Sequence, residues 1–259
     1  MHIGQYIPGD SLIHRLDPRV KIASTIALSI LILRGGVPTA ALVSTFLIVL
    51  VALSRLGITA VAKAFRPVLA FFALLFFVHL FFTEGTPIPP FPPWAVTPTY
   101  EGLYRGIITT WQFALLILSA SLLTLATLPT ELVSGIERLL RPLQRLGVPS
   151  HDLAMMVSIA LRFVPTFLEE IDRIKTAQMA RGASFGSGPV LRRALAALSL
   201  LLPLVLSAFR RADELVTAME ARGYRRGPRT YMRGLTMRRA DYVAVMVMMG
   251  MICLHFVSV

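Results

Sequence analysis

The sequence predicts an all-α integral membrane protein, with about five transmembrane helices and a cytoplasmic module of long amphipathic coupling helices. Three observations support this fold class. Apolar residues make up 55% of the 259 residues and charged residues only 15%, whereas soluble domains usually carry about 25% charge. Mean hydropathy is high, at +0.69. The apolar residues also form uncharged runs long enough to cross a hydrocarbon core of about 30 Å.

Five apolar segments are predicted to span the membrane. Four come first and one closes the chain, at about Val20–Leu33, Val37–Leu53, Pro67–Phe82, Gly106–Leu128 and Tyr242–Val259. The first has a clear start, since Asp17 can cap the helix and Pro18 can occupy its first position, where no N–H is needed. We therefore divide the chain into a transmembrane region (residues 1–128), a cytoplasmic coupling-helix region (129–239) and a last transmembrane helix (240–259).

The distribution of basic residues predicts the orientation of these spans. Residues 129–239 contain 18 Lys and Arg against 9 Asp and Glu, which accounts for most of the net charge of +12. The loop Thr83–Tyr100 contains no Lys or Arg. Because loops rich in Lys and Arg stay on the cytoplasmic side, we expect the amino terminus and residues 129–239 to be cytoplasmic and the loop Thr83–Tyr100 to be external.

The cytoplasmic region is predicted to form three helices. The first covers about Pro129–Leu146 with Thr130 as its cap, the second runs from just after Pro149-Ser150 to Arg181, and the third covers about Pro189–Arg222. An uncharged run at 194–209 could form a sixth span. Arginine pairs flank it on both sides, against the usual asymmetry, so we expect it to lie along the membrane surface or against another apolar protein.

The two long cytoplasmic helices end in the same tripeptide, Ala-Arg-Gly, at an offset of 41 residues. One such ending is explained by capping, because arginine complements the helix macrodipole and glycine supplies a left-handed cap. Two such endings indicate a narrow tip used twice, in which a guanidinium binds a carboxylate in a partner's groove. The offset also aligns residues inside the helices: Ser158 with Ser199, Leu161 with Leu202, Asp172 with Asp213, and Thr176-Ala177 with Thr217-Ala218.

These features, together with an amino-terminal motif, resemble a known family. The motif reads Gly9-Asp10-Ser11 followed by His14-Arg15-Leu16-Asp17-Pro18-Arg19. With the paired tips and the order of elements over nearly the whole chain, it resembles the transmembrane T component of energy-coupling factor transporters, including relatives in cobalt and biotin uptake. The tips are the most specific part of this resemblance.

The resemblance implies a non-catalytic coupling subunit in a bacterial plasma membrane. Two ATP-binding-cassette ATPases, which hold ATP and Mg, would each receive one tip, while this chain would bind no cofactor or metal. A separate S component would capture the vitamin or metal ion and pack on the apolar faces of the coupling helices. The implied ATPase-binding residues are Ala180, Arg181, Gly182, Ala221, Arg222 and Gly223. The implied S-component residues are Met156, Ala160, Val164, Leu168, Leu198, Leu202 and Leu206.

The motifs that the sequence lacks narrow the remaining alternatives. It contains no GxxxxGK[ST], HExxH or GxSxG motif, so neither ATP hydrolysis nor these hydrolase chemistries are expected. The single cysteine, Cys253, gives no metal-site spacing. The basic stretch 222–239 is assigned to anionic lipid instead of nucleic acid. Two alternatives stay open: an intramembrane enzyme acting on lipid, and a stand-alone carrier. His79 is the clearest titratable candidate within the spans, and helix packing is the simpler explanation for it.

Overall fold

The computed structural model describes residues 9, 11–54, 57–88, 98–142, 150–183, 185, 190–225 and 236–258. Every regular element in these ranges is a helix, which confirms the predicted all-α class. In chain order they are α1 (Pro18–Arg34), α2 (Val37–Ser54), α3 (Ile58–Phe65), a 3-10 turn (Arg66–Val68), α4 (Leu69–Phe82), α5 (Tyr100–Leu125), α6 (Pro129–Leu140), α7 (Ser150–Ala180), α8 (Val190–Ala221) and α9 (Arg239–Ser258).

Four helical segments in the described residues are long and apolar enough to cross a membrane. They are Val37–Ser54, Val61–Phe82, Tyr100–Leu125 and Arg239–Phe256. The first predicted span, α1, has only 17 residues. At about 1.5 Å per residue it is about 25 Å long, a little less than the hydrocarbon core. The four segments support a multi-pass membrane protein.

The chain forms two compact units. Unit 1 contains Met1–Ala154 and Leu235–Val259, and unit 2 contains Met155–Gly234. The core of unit 1 lies between α1, α2, α5 and α9, where their most buried apolar side chains meet. That core includes Ile32 on α1, Val43 and Leu47 on α2, Leu122 on α5 and Met251 on α9. The last helix of the chain therefore completes the core that α1, α2 and α5 form.

A buried polar cluster joins the start of α1 to the start of α9. The Asp241 carboxylate is 1% exposed and accepts a hydrogen bond from the Asp17 backbone N–H at 2.7 Å. Its other oxygen accepts the Arg238 N–H at 2.7 Å, which is half of a capping box on α9. The Lys21 ammonium donates to the backbone oxygens of His14 and Ala126 at 3.1 and 3.0 Å. The amino ends of α1 and α9 therefore lie together, beside the carboxyl end of α5.

The opposite end of unit 1 is also fixed by hydrogen bonds. The Gln112 amide donates to the Gly35 oxygen at 3.1 Å, and the Thr39 hydroxyl lies 3.0 Å from Nδ1 of His255 near the end of α9. Helices α1 and α9 are thus parallel to each other within this unit. This agrees with the sequence prediction that the first and last spans run in the same direction.

Helix α4 packs on α5 through glycines. A Cβ added at Gly102 would lie 2.5 Å from the His79 oxygen and 2.8 Å from the Leu80 oxygen, and one at Gly106 would lie 3.2 Å from the Phe76 oxygen. Small residues let transmembrane helices approach this closely. The His79 ring faces its own helix, with Nδ1 3.0 Å from the Leu75 oxygen, and this contact supports the packing interpretation of His79.

The helix starts show where the sequence was misread. The Thr130 cap is wrong: α6 has Leu128 at its N-cap position with no side-chain bond and Pro129 at its first turn, while the Thr130 oxygen accepts the Ser134 hydroxyl. Helix α5 begins at Tyr100, earlier than Gly106, because the Thr99 hydroxyl accepts the Gly102 N–H. The Asp17 cap on α1 is confirmed, since its carboxylate accepts the Arg19 N–H at 2.9 Å.

Candidate functional site

The candidate site consists of the two helix tips of unit 2, Ala180–Gly182 after α7 and Ala221–Gly223 after α8. The observed helices end at Ala180 and Ala221, one residue before the predicted ends. Each arginine therefore lies at the position that closes its helix, and each glycine lies one residue beyond.

The two tips have the same backbone hydrogen bonds. At the first, Ala183 N–H donates to Gln178 oxygen and Gly182 N–H to Met179 oxygen, both at 3.0 Å. At the second, Tyr224 N–H donates to Met219 oxygen at 3.0 Å and Gly223 N–H to Glu220 oxygen at 2.9 Å. This pair of bonds defines a Schellman motif, which satisfies the last carbonyls of a helix. The sequence repeat is therefore also a repeat of local geometry.

Backbone conformation explains why glycine follows each arginine. Gly182 has φ of 86° and Gly223 has φ of 74°, in the left-handed region that a residue with a Cβ adopts only at a cost of about 1–2 kcal/mol. A Cβ added at either position would meet no atom within 4 Å. The requirement for glycine is thus conformational in the free chain, and the space around each glycine stays open for another surface.

The two arginine side chains are exposed at the ends of the helices. The Schellman bonds satisfy the carbonyls two and three residues before each arginine, so an arginine side chain is not needed to cap those two. What it adds locally is a favourable interaction with the helix dipole of about 0.3–1 kcal/mol. An exposed guanidinium can donate two parallel N–H groups to a carboxylate.

An ion pair joins α7 and α8 at repeat-equivalent positions. Arg211 Nη2 lies 3.4 Å from Glu170 Oε2, and both side chains are partly buried. These positions are 41 residues apart, so they are equivalent in the repeat. Each tip arginine follows its member of the pair by eleven residues, a distance of roughly 16 Å along an α-helix. The two tips therefore extend equally far beyond the ion pair.

Sequence reasoning missed this ion pair. The available signal was the offset of 41 residues itself, which gives an acid on α7 and a base on α8 equivalent positions in the repeat. The repeat also extends to two hydroxyl groups. Those of Thr176 and Thr217 each donate to the backbone oxygen of the aspartate four residues earlier, at 2.8 Å.

The side chains around the two tips differ although their backbones agree. The second tip is preceded by Glu220 and followed by Tyr224 and Arg225, whereas the first has Met179 and Ala183 at the equivalent positions of Glu220 and Tyr224. The second tip therefore presents more charge. The shared part, on which a common binding mode would depend, is Ala-Arg-Gly.

The predicted apolar faces of the coupling helices are exposed in part. On α8, Leu198, Leu202 and Leu206 are 57%, 66% and 57% exposed, and their i, i+4, i+8 spacing places them on one face. On α7, Met156 is 62% exposed and Ala160 is also exposed. Val164 and Leu168, further along α7, are half-buried. The predicted surface is thus fully accessible on α8 and only at the start of α7.

The described residues contain no group of three or more His, Cys, Asp or Glu side chains that could hold a metal ion. At both tips the exposed cationic side chain is that of the arginine which follows the last helical residue.

The sequence of the chain matches a known family and several named relatives. Residues 9–232 match the CbiQ family, described as cobalt transport protein. Three relatives are named energy-coupling factor transporter transmembrane protein EcfT. The relative from Thermosediminibacter oceani is 48% identical over 93% of this chain and 91% of its own length. The relative from Bacillus subtilis is 43% identical over 99% and 97%, and that from Clostridium kluyveri is 41% identical over 99% and 96%.

Proposed function

The chain belongs to the CbiQ family, together with the transmembrane EcfT proteins of energy-coupling factor transporters, and from this premise we propose that it is the coupling subunit of an ATP-driven importer. In this proposal it does not catalyse a reaction itself. Two partner ATPases bind ATP and Mg, and an S component binds the transported vitamin or metal ion. This chain transmits the movement of the ATPases to the S component.

The observation that carries the proposal is the repeated tip geometry. Two exposed arginines close two helices with the same Schellman bonds, at equal distances from one ion pair. A partner made of two similar subunits presents two similar grooves, and each groove would receive one guanidinium on a carboxylate. A partner with one groove, or a lipid surface, would not explain why the tip occurs twice.

The exposed apolar stripe of α8 supports the proposed contact with an S component. A contiguous apolar surface of this kind marks a protein or membrane contact. Because the S component is itself a membrane protein in this proposal, the stripe would pack against its apolar helices. Movement of α7 and α8 by the ATPases would then be passed directly to the substrate-binding partner.

The experiment that tests the ATPase contact is copurification. The tagged chain is expressed in its source organism and extracted in mild detergent, and its partners are identified by mass spectrometry. We expect stoichiometric ATPase chains with the wild type and loss of most of them with the double variant R181E/R222E. Each reversal replaces a charge-assisted bond by repulsion between carboxylates.

A matched control is the double variant R173E/R210E. Both of its arginines are exposed on the same two helices and the change in net charge is identical, but neither lies at a tip. This control should keep the ATPases. If R181E/R222E retains them as well as R173E/R210E does, the proposed binding of the tips to the ATPases is wrong.

A further inference from the structure

Unit 1 contains an apolar cavity of about 550 Å³ that the proposed coupling role does not use. It lies between α1, α2, α5, α9 and the segment before α1. Its volume is within the range of about 300–1,000 Å³ that ligand pockets occupy. Several lining side chains at its opening are also exposed, among them Val49, Leu53, Val243 and Val247. The cavity is therefore open to the surroundings of the helices.

The surroundings restrict the chemistry of the occupant. Three of the four helices that line the cavity, α2, α5 and α9, are candidate membrane spans, so the opening faces a region that the bilayer fills. The apolar molecule available there is a lipid acyl chain. An acyl chain inside the cavity would supply the van der Waals contacts that the lining side chains of an empty cavity lack.

The lining of the cavity includes one buried hydroxyl group, that of Ser119. Ser119 is 3% exposed and lines the cavity, and its Oγ has no hydrogen-bond partner among the described residues. Thr124 in α5 and Thr99 at its N-cap bond to backbone oxygens, whereas Thr110 in α5 lacks a partner among the described residues as Ser119 does but does not line the cavity. A buried hydroxyl without a partner costs free energy, and a bound polar or amphiphilic molecule would remove that cost.

One end of the cavity carries positive charge. Lys21 is part of the lining, and Ala240, also in the lining, directly follows the exposed Arg239. The carboxylates of Asp17 and Asp241 offset the charge of Lys21, so the positive charge available to an anion at this end comes from Arg239, beside the exposed Arg238. Basic groups at the membrane surface attract anionic lipids. We propose that this cavity binds one anionic phospholipid, with an acyl chain between α1, α2, α5 and α9 and its phosphate near Lys21 and Arg239.

The test uses native mass spectrometry of the full chain in mild detergent. The protein is supplied with phosphatidylglycerol or with phosphatidylcholine of the same acyl chains. We expect the wild type to retain one phosphatidylglycerol and little phosphatidylcholine. V247W, which fills the opening of the cavity from α9, should lose most of the retained lipid. R239Q should weaken retention of phosphatidylglycerol by about fivefold, the effect of one basic residue at a membrane surface.

The matched control is V245W. Val245 is exposed on the same helix but does not line the cavity, so V245W should retain phosphatidylglycerol like the wild type. Size-exclusion profiles identical to that of the wild type establish that all variants are folded. Equal retention by V247W and V245W, or no lipid retained by the wild type, overturns the cavity site. Equal retention of the two lipids overturns the assignment of an anionic headgroup.

Discussion

At the scale of single residues, helix capping explains the glycines at the two tips but does not explain the arginines. Backbone N–H groups satisfy the two carbonyls of each helix that a Schellman motif closes, and the left-handed φ values explain both glycines. Neither argument requires arginine. Within the described residues, no hydrogen bond or ion pair involves the side chain of Arg181 or Arg222, and this supports the proposal that both bind a partner.

Asp241 is the residue whose importance the sequence concealed. Its carboxylate accepts one N–H from its own helix and one from Asp17, 224 positions away. In the sequence, Asp241 is only an acidic residue that precedes an apolar run. Nothing local indicates that α9 returns to the start of α1, so a contact of such long range was outside the reach of pattern analysis.

Replacing Asp241 tests this cluster. In D241A the buried Asp17 N–H loses its acceptor, and an unsatisfied buried donor costs about 1–3 kcal/mol. We expect a lower thermal unfolding temperature of the detergent-solubilised chain, measured by the loss of monodisperse protein after heating. D213A, at an exposed aspartate of α8, is the control and should unfold like the wild type. An unchanged unfolding temperature for D241A would contradict a structural role of this carboxylate.

At the scale of elements, α1, α2, α4, α7 and α8 were predicted within two residues at both ends, whereas the short helix α3 was not predicted. Helices α7 and α8 were predicted well because long amphipathic patterns between proline and glycine have clear ends. The start of α5 was predicted six residues late, because Arg105 interrupts the apolar run while the cap at Thr99 lies before it. Hydropathy predicts which residues of a helix lie in the hydrocarbon core, but it does not predict where polar residues extend that helix to its cap.

The packing of α4 on α5 depends on the size of one residue. A Cβ at Gly102 would lie 2.5 Å from the His79 oxygen, so G102A should force the two helices apart at a cost of about 1–3 kcal/mol, as overpacking does. G250A is the control, since a Cβ at Gly250 meets nothing within 4 Å and alanine favours a helix. Heating in detergent should lower the unfolding temperature for G102A only, and equal values would show that α4 does not pack as described.

At the scale of the whole molecule, the sequence predicted the fold class and the repeated tips, while the assembly of unit 1 came from the structure. Composition and charge were sufficient for a multi-pass protein because a bilayer restricts the possible elements to apolar helices. The pairing of α1 with α9, the ion pair between Glu170 and Arg211, and the cavity beside Ser119 depend on contacts between distant segments. Periodicity within one helix carries no information about such contacts.

The proposed function also assigns separate roles to this chain and to its partners, and this belongs to the scale of the whole molecule. The proposed function requires that transport depends on ATPases that this chain does not contain. An intramembrane enzyme would instead show turnover with the purified chain alone, and a stand-alone carrier would show flux without ATP. These alternatives make opposite predictions for the isolated protein.

The most direct measurement is uptake into proteoliposomes, with the copurified complex compared with the purified chain, using the substrate that the copurified S component binds. We predict ATP-driven uptake by the wild-type complex and none by the chain alone. Complexes assembled with R181E/R222E should show uptake near background, while R173E/R210E complexes should transport like the wild type. Uptake by the chain alone, or undiminished uptake with R181E/R222E, would contradict the account.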